Sequence, residues 1–170
     1  MIARNETIFK WLLYAAATAL CLFVQTALLQ RVTLWGVIPV LYPLLAAIPA
    51  TYEGPLAGTI FSLCVGVVCD LLLPGPVPFV HTLIFPLAGL CAGLLSQSLL
   101  PAGFLFSFAA AAAAFLLTDG FRCLLLWMRG SAAWEAGALL TALELCAAAP
   151  FVIPVTLLYR SVYRRTRRDD

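Results

Sequence analysis

The sequence predicts an all-α protein: a polytopic membrane bundle of six spanning helices forming one integral membrane domain over residues 1–170. Three observations carry this. The chain is 64% hydrophobic and only 11% charged, against roughly 45–50% apolar and about 25% charged in soluble domains. Its eighteen charged side chains cannot cover a soluble globule, so a water-soluble enzyme, a soluble binding domain and a disordered chain are all excluded. Apolar runs of about 20 residues, the length a helix needs to cross a core of roughly 30 Å, recur along the chain. Six of them use roughly 120 residues and leave no room for a sizeable soluble domain. Finally, basic residues gather at both ends. Arg4 and Lys10 open the chain, and Arg160, Arg164, Arg165, Arg167 and Arg168 close it. An even number of spans puts these on one side of the membrane, which the positive-inside rule makes the cytoplasm.

Span one is expected from about Trp11 to Leu29, after a short cytoplasmic N-terminus over residues 1–10. Its start resembles a signal peptide, but its apolar run is too long for a cleaved one. Leu20 before Cys21 also argues against a lipoprotein cleavage site. Span two covers about Trp35 to Thr51. Pro39, Pro43 and Pro49 should kink or break it, and could turn it into a re-entrant segment. Glu53 and Gly54 form a tight turn. Span three runs from about Pro55 to Leu73 and stops at Pro74-Gly75-Pro76. Span four covers about Phe79 to Leu100. Span five runs from about Pro101, suited to a first helical turn, to Met128, and contains the run Ala109 to Ala114. Span six covers about Trp134 to Tyr159, followed by a basic cytoplasmic tail over residues 160–170. The short connections suit antiparallel neighbours.

Charged groups inside spans cost about 2.5–3.5 kcal/mol each on insertion scales and are functional candidates by default. Here they are Asp70, Asp119, Arg122 and Glu144, with Glu135 near a span end. Depth counting gathers Asp70, His81, Asp119, Arg122 and Glu135 in the outer half of the bundle. Asp119 and Arg122, three apart, can pair on one helical face, or Arg122 can reach Asp70 or Glu135 and tie three helices together. Asp70 can also snorkel to water. Glu144 lies near mid-membrane and must be protonated, paired or facing a partner. His81 reads as an interfacial polar residue.

Small residues form a second pattern. Gly54, Gly58, Ser62, Gly66 and Asp70 are spaced by four along one slowly drifting helical stripe. Gly89 and Gly93 repeat the spacing on span four, and Ala15 and Ala19 do so more weakly on span one. Such stripes let backbones approach closely in lipid, within this chain or against another membrane protein.

No phosphate loop, zinc-protease pair or nucleophile elbow is present in the sequence. With a single histidine, acid–base and nucleophile–base arrangements cannot be assembled convincingly. The six cysteines (Cys21, Cys64, Cys69, Cys91, Cys123, Cys146) lack metal-ligand spacing and read as small apolar groups, buried or lipid-facing. No enzyme activity, metal or cofactor is expected. The arginine run lacks the aromatic interleaving of a nucleic-acid site and suits anionic lipid headgroups instead.

Glu53-Gly54-Pro55-Leu56-Ala57-Gly58, then Gly66-Val67-Val68-Cys69-Asp70-Leu71-Leu72, then Gly75 resemble the pattern of the rod shape-determining MreD family. In that family a glycine–proline–hydrophobic–glycine helix start is followed by a glycine before an aspartate and a glycine in the next loop. The likeness is strongest over residues 53–75. Here Val67-Val68-Cys69 stands in place of the more usual leucine-rich stretch, and Pro76 and Pro78 stiffen the loop. The resemblance implies a non-enzymatic part of the cell-elongation machinery. It implies a fold similar to the substrate-binding subunits of energy-coupling-factor vitamin transporters. The implied partners are the single-span protein MreC and, through it, MreB and wall-synthesis enzymes. The alternative is a vitamin-binding transporter subunit of the same fold, using the outer polar residues as a pocket and Ala15 and Ala19 as a docking face for a coupling subunit.

Overall fold

A computed structural model describes residues 2–72, 79–98, 103–128, 130 and 134–166. Six α-helices follow in order: α1 (Ile2–Ala27), α2 (Tyr42–Glu53), α3 (Pro55–Leu72), α4 (Val80–Ser98), α5 (Phe104–Met128) and α6 (Trp134–Thr166). All but α2 are long and apolar enough to cross a membrane, so the fold is that of a multi-pass membrane protein.

The second expected span is corrected. Residues 35–41 are not helical, and α2 has only 12 residues, about 18 Å of helix. The reason lies in the chain itself. Trp35 and Gly36 make a turn with positive φ, and Pro39 lacks the N–H that a helix there would need. The freed backbone is satisfied by Gln25 of α1. Its amide donates to the Pro39 carbonyl at 3.0 Å, and its oxygen accepts the Leu41 N–H at 2.9 Å.

α2 is the centre of the molecule. Every residue from Tyr42 to Thr51 is buried, and the helix packs against α3, α4, α5 and α6. Around it the long helices close a ring: α6 touches α1 and α5, α5 touches α4, and α4 touches α3. Aromatic rings complete the circuit, with Trp11 of α1 stacked on Phe61 of α3 at 5.9 Å and Tyr14 on Tyr159 of α6 at 5.8 Å. A helix wholly wrapped by protein need not match the thickness of the lipid.

The contacts at its ends fix its direction. It starts level with Gln25, near the end of α1, and finishes at Glu53, which forms an ion pair with Lys10 near the start of α1. α2 therefore runs antiparallel to α1 and covers most of its depth. Tyr52 also meets Tyr163 of α6 at 5.5 Å, and the Ser96 hydroxyl near the end of α4 donates to the Thr51 carbonyl at 2.8 Å. The start of α1 and the end of α6 thus share one end of the bundle, here the basal end. The ends of α1, α3 and α5 and the starts of α2, α4 and α6 lie at the distal end.

Two further boundaries differ from expectation. The N-terminal residues from Ile2 onward are already helical. The helix α6 continues through Pro150 and Pro154 to Thr166, so Arg160, Arg164 and Arg165 are exposed on a helix rather than on a tail. Arg167 and Arg168, the loop with Pro74, Gly75, Pro76 and Pro78, and Pro101 lie outside the described residues.

Glu53 is 6% exposed against 28% for Lys10, so the two halves of this ion pair are not equivalent. Removing the cation strands a buried carboxylate, which costs far more than removing both charges. Lys10→Ala is expected to lower stability by about 1–3 kcal/mol, and adding Glu53→Gln should recover part of that loss. Thermal unfolding of the two variants in detergent checks the order.

Candidate functional site

The residues singled out in the sequence fall into two places. The first is the contact of α3 with α2 and α4. Gly54 ends α2 with φ +85° and ψ 176°, a region open essentially to glycine alone. Pro55 then starts α3 directly, its fixed φ suited to a first turn and its missing N–H costing nothing there. The chain thus reverses at a single residue, and α3 lies hard against α2.

A Cβ on Gly58 would stand 2.6 Å from the Ala50 Cα, too close for any real side chain. One turn on, the Ser62 hydroxyl oxygen lies 2.7 Å from the carbonyls of both Gly58 and, in α2, Ala46, and its single proton is shared between them. Ser62 is fully buried, and this bond satisfies it while tying two helices. Gly89 of α4 sits over Ser62, where an added Cβ would come within 2.8 Å of the serine Cβ. Gly93 approaches the Pro55 nitrogen, at 2.7 Å from such a Cβ. Gly66 faces the carbonyl of His81, at 2.6 Å. Glycines on both helices therefore bring α3 and α4 to backbone contact along their length, as dispersion-driven packing in lipid requires.

Asp70 closes this seam at the distal end. Its Oδ1 accepts the His81 N–H at 3.2 Å and the His81 Nδ1 at 2.7 Å. Its Oδ2 accepts the Thr82 N–H at 2.8 Å and the Thr82 hydroxyl at 2.6 Å. A carboxylate has no proton to give, so Nδ1 is the donor. The first N–H groups of any helix lack intrahelical partners, and α4 begins at Val80. Asp70 caps α4 from the neighbouring helix, with negative charge at the positive end of the helix dipole. It does not snorkel to water, and His81 is its partner rather than a free interfacial group.

The second place is the α5–α6 hairpin. Asp119 and Glu144 are 7% and 9% exposed and act electrostatically on one another, while the Thr141 hydroxyl nearby donates to the Gly137 carbonyl of its own helix at 3.0 Å. Asp119 lies nine residues before the end of α5 and Glu144 ten after the start of α6, so the two share a depth. The expected single outer cluster is therefore corrected to two separate groups. α3 and α5 are not neighbours in the ring, and Asp70 is committed to α4. Arg122 is exposed and makes no close ion pair with a described residue, but its charge acts on both Asp119 and Glu144; no contact among the described residues joins it to Asp70. The side chain of Glu135 lies outside the described residues.

Sequence reasoning missed several participants. Gln25 and Thr82 stand out in no sequence pattern, and the partners of Lys10 and His81 cannot be foreseen from one, because all four reach across turns or between distant segments, which no periodicity records. The alanine run of α5 does carry a legible signal: Ala110 and Ala114, spaced by four, are buried with Ala47 and Ala50 of α2 and Ala88 and Ala92 of α4. Ala15 and Ala19 are exposed, and Ala17, Thr18 and Cys21 are the buried residues of that stretch. Cys21 and Cys69 are buried, while Cys64, Cys91 and Cys146 are exposed. Among the described residues no group of three or more histidine, cysteine or acidic side chains is placed to hold a metal ion.

No family model matches this chain, and no curated protein and no solved structure matches it either.

Proposed function

We propose that this chain is a non-enzymatic scaffold of the bacterial cell-elongation machinery, sited in the cytoplasmic membrane with both termini in the cytoplasm. In this reading it holds an MreC-like single-span protein and, through it, MreB and wall-synthesis enzymes. One observation carries the proposal. The residues of the MreD-like segment that can be placed are occupied in building the bundle. Glu53 pairs with Lys10, Gly54 turns the chain, Gly58 and Gly66 admit neighbouring backbones, and Asp70 caps α4. None of these is left free to do chemistry on a substrate. A segment built this way suits a rigid body that presents surfaces to partner helices.

The orientation rests on charge. Lys10, Arg160, Arg164 and Arg165 collect at the basal end, against Arg31 and Arg122 toward the distal end. That excess makes the basal end cytoplasmic. The exposed arginines of α6 add attraction to anionic lipid, about 1 kcal/mol for each near the surface.

The test is co-purification. Co-expressed with the MreC-like protein of the same cell, the detergent-extracted chain should be retained on an affinity tag placed on that protein. Well-folded chain that passes through unretained, or that instead carries a bound vitamin, would overturn the proposal.

A further inference from the structure

The distal end carries a feature that the scaffold role does not use. Leu34 and Val37 exchange both backbone hydrogen bonds, at 2.8 and 2.9 Å, leaving Trp35 and Gly36 as a two-residue loop. Both have positive φ, +52° and +82°, the pattern of a tight hairpin turn that normally holds asparagine, aspartate or glycine at its first position. A bulky residue in the left-handed region is a genuine outlier. Among the described residues the other non-glycine in that region is Phe79, φ +60°, immediately before α4. Both outliers are aromatic, both stand at the distal end, and both are turned outward, 72% and 69% exposed.

Depth decides what they meet. The apolar stretch Thr7–Arg31 has 25 residues, about 37 Å at 1.5 Å each, more than a hydrocarbon core of roughly 30 Å. The chain therefore leaves the core near Arg31, and the turn four residues later stands at headgroup level. The tip is amphipathic in the matching sense. Leu28, Val32 and Ile38 are exposed around its base, and the exposed Arg31 lies beside them. Tryptophan is the side chain most suited to that layer, with a large apolar body and one N–H for the wet side.

We propose that the Trp35–Gly36 turn and Phe79 are interfacial anchors that seat the distal end of the bundle in the headgroup–acyl boundary of the distal leaflet. The turn is then not a water-exposed loop. The Leu34–Val37 hydrogen bonds hold the unusual backbone in place, and the exposed indole is left to the headgroup–acyl boundary.

The test uses the full chain in vesicles of phosphatidylcholine brominated near the headgroup end of its acyl chains. The emission difference between wild type and Trp35→Phe isolates Trp35. That difference should be blue-shifted, lost in brominated lipid and unaffected by aqueous iodide. Phe79→Trp should add emission of the same kind, and it keeps the test open should Trp35→Phe fold poorly. A red-shifted difference quenched by iodide would place the turn in water. Emission protected from both quenchers would mean that protein covers it. Either result overturns the proposal.

Discussion

Gly66→Leu is expected to abolish the folded yield of this protein in detergent, whereas Gly120→Ala should leave it unchanged or raise it. Both positions are glycines inside long apolar helices, so composition and hydropathy treat them alike. The structure does not. A Cβ on Gly66 would stand 2.6 Å from the His81 carbonyl oxygen and 2.9 Å from the Thr82 Cα. Both are backbone atoms and cannot swing aside, so α3 and α4 would have to separate. Overpacking of this kind costs about 1–3 kcal/mol even where side chains can adjust, and more where they cannot. The separation would also pull Asp70 away from the start of α4, so one substitution removes two contacts. A Cβ on Gly120 meets nothing within 4 Å, and alanine is the better helix former by about 1 kcal/mol. Size-exclusion profiles of the two variants check the contrast. A monodisperse Gly66→Leu peak at wild-type yield would remove the packing argument.

Asp70→Ala is the second large effect, with an expected loss of about 2–4 kcal/mol on the scale of hydrogen bonds to charged groups. The substitution leaves the N–H groups of His81 and Thr82 without their acceptor at the start of α4, where the first N–H groups have no intrahelical partner. It also removes negative charge from the positive end of the helix dipole. Asp70→Asn keeps one acceptor oxygen and should lose about half as much. Thr82→Ala removes only the hydroxyl donor and should cost about 1 kcal/mol. The order wild type, Thr82→Ala, Asp70→Asn, Asp70→Ala in thermal stability is the signature of a cap. Equal behaviour of Asp70→Asn and wild type would show that the charge contributes nothing.

These two effects mark how far the sequence can be read. The start of α3, the end of α5 and the start of α6 are legible because proline, glycine and charged residues punctuate the apolar runs there, whereas the end of α6 is not, since its arginines continue the helix to Thr166. The glycine spacing on α3 is legible because a helix places every fourth residue on one stripe. Which helix those glycines meet is not, since an apolar run carries no address. α2 escapes for a related reason. Hydropathy counts apolar residues but does not report whether Pro39 and the Trp35–Gly36 turn leave the backbone helical. Nor does it report that the segment touches only protein.

The polar groups are harder still. Depth counting puts Asp70 and Asp119 in one layer, but depth is one coordinate and the ring order of the helices is another. Asp70 and Asp119 stand on helices that are not neighbours: Asp70 bonds to the start of α4, and Asp119 acts on Glu144 of α6. Lys10 and Glu53 find each other through the path of α2, which follows from its direction and not from any local pattern.

The central claim is that α2, though too short to qualify as a span by length, serves as a sixth crossing enclosed by the other five helices. Reporter fusions at the two termini test it most directly, because five long apolar helices alone would place them on opposite sides of the membrane. The account predicts that both reporters show the same compartment. Reporters in opposite compartments would mean that α2 turns back without crossing, and would contradict the enclosed-helix architecture.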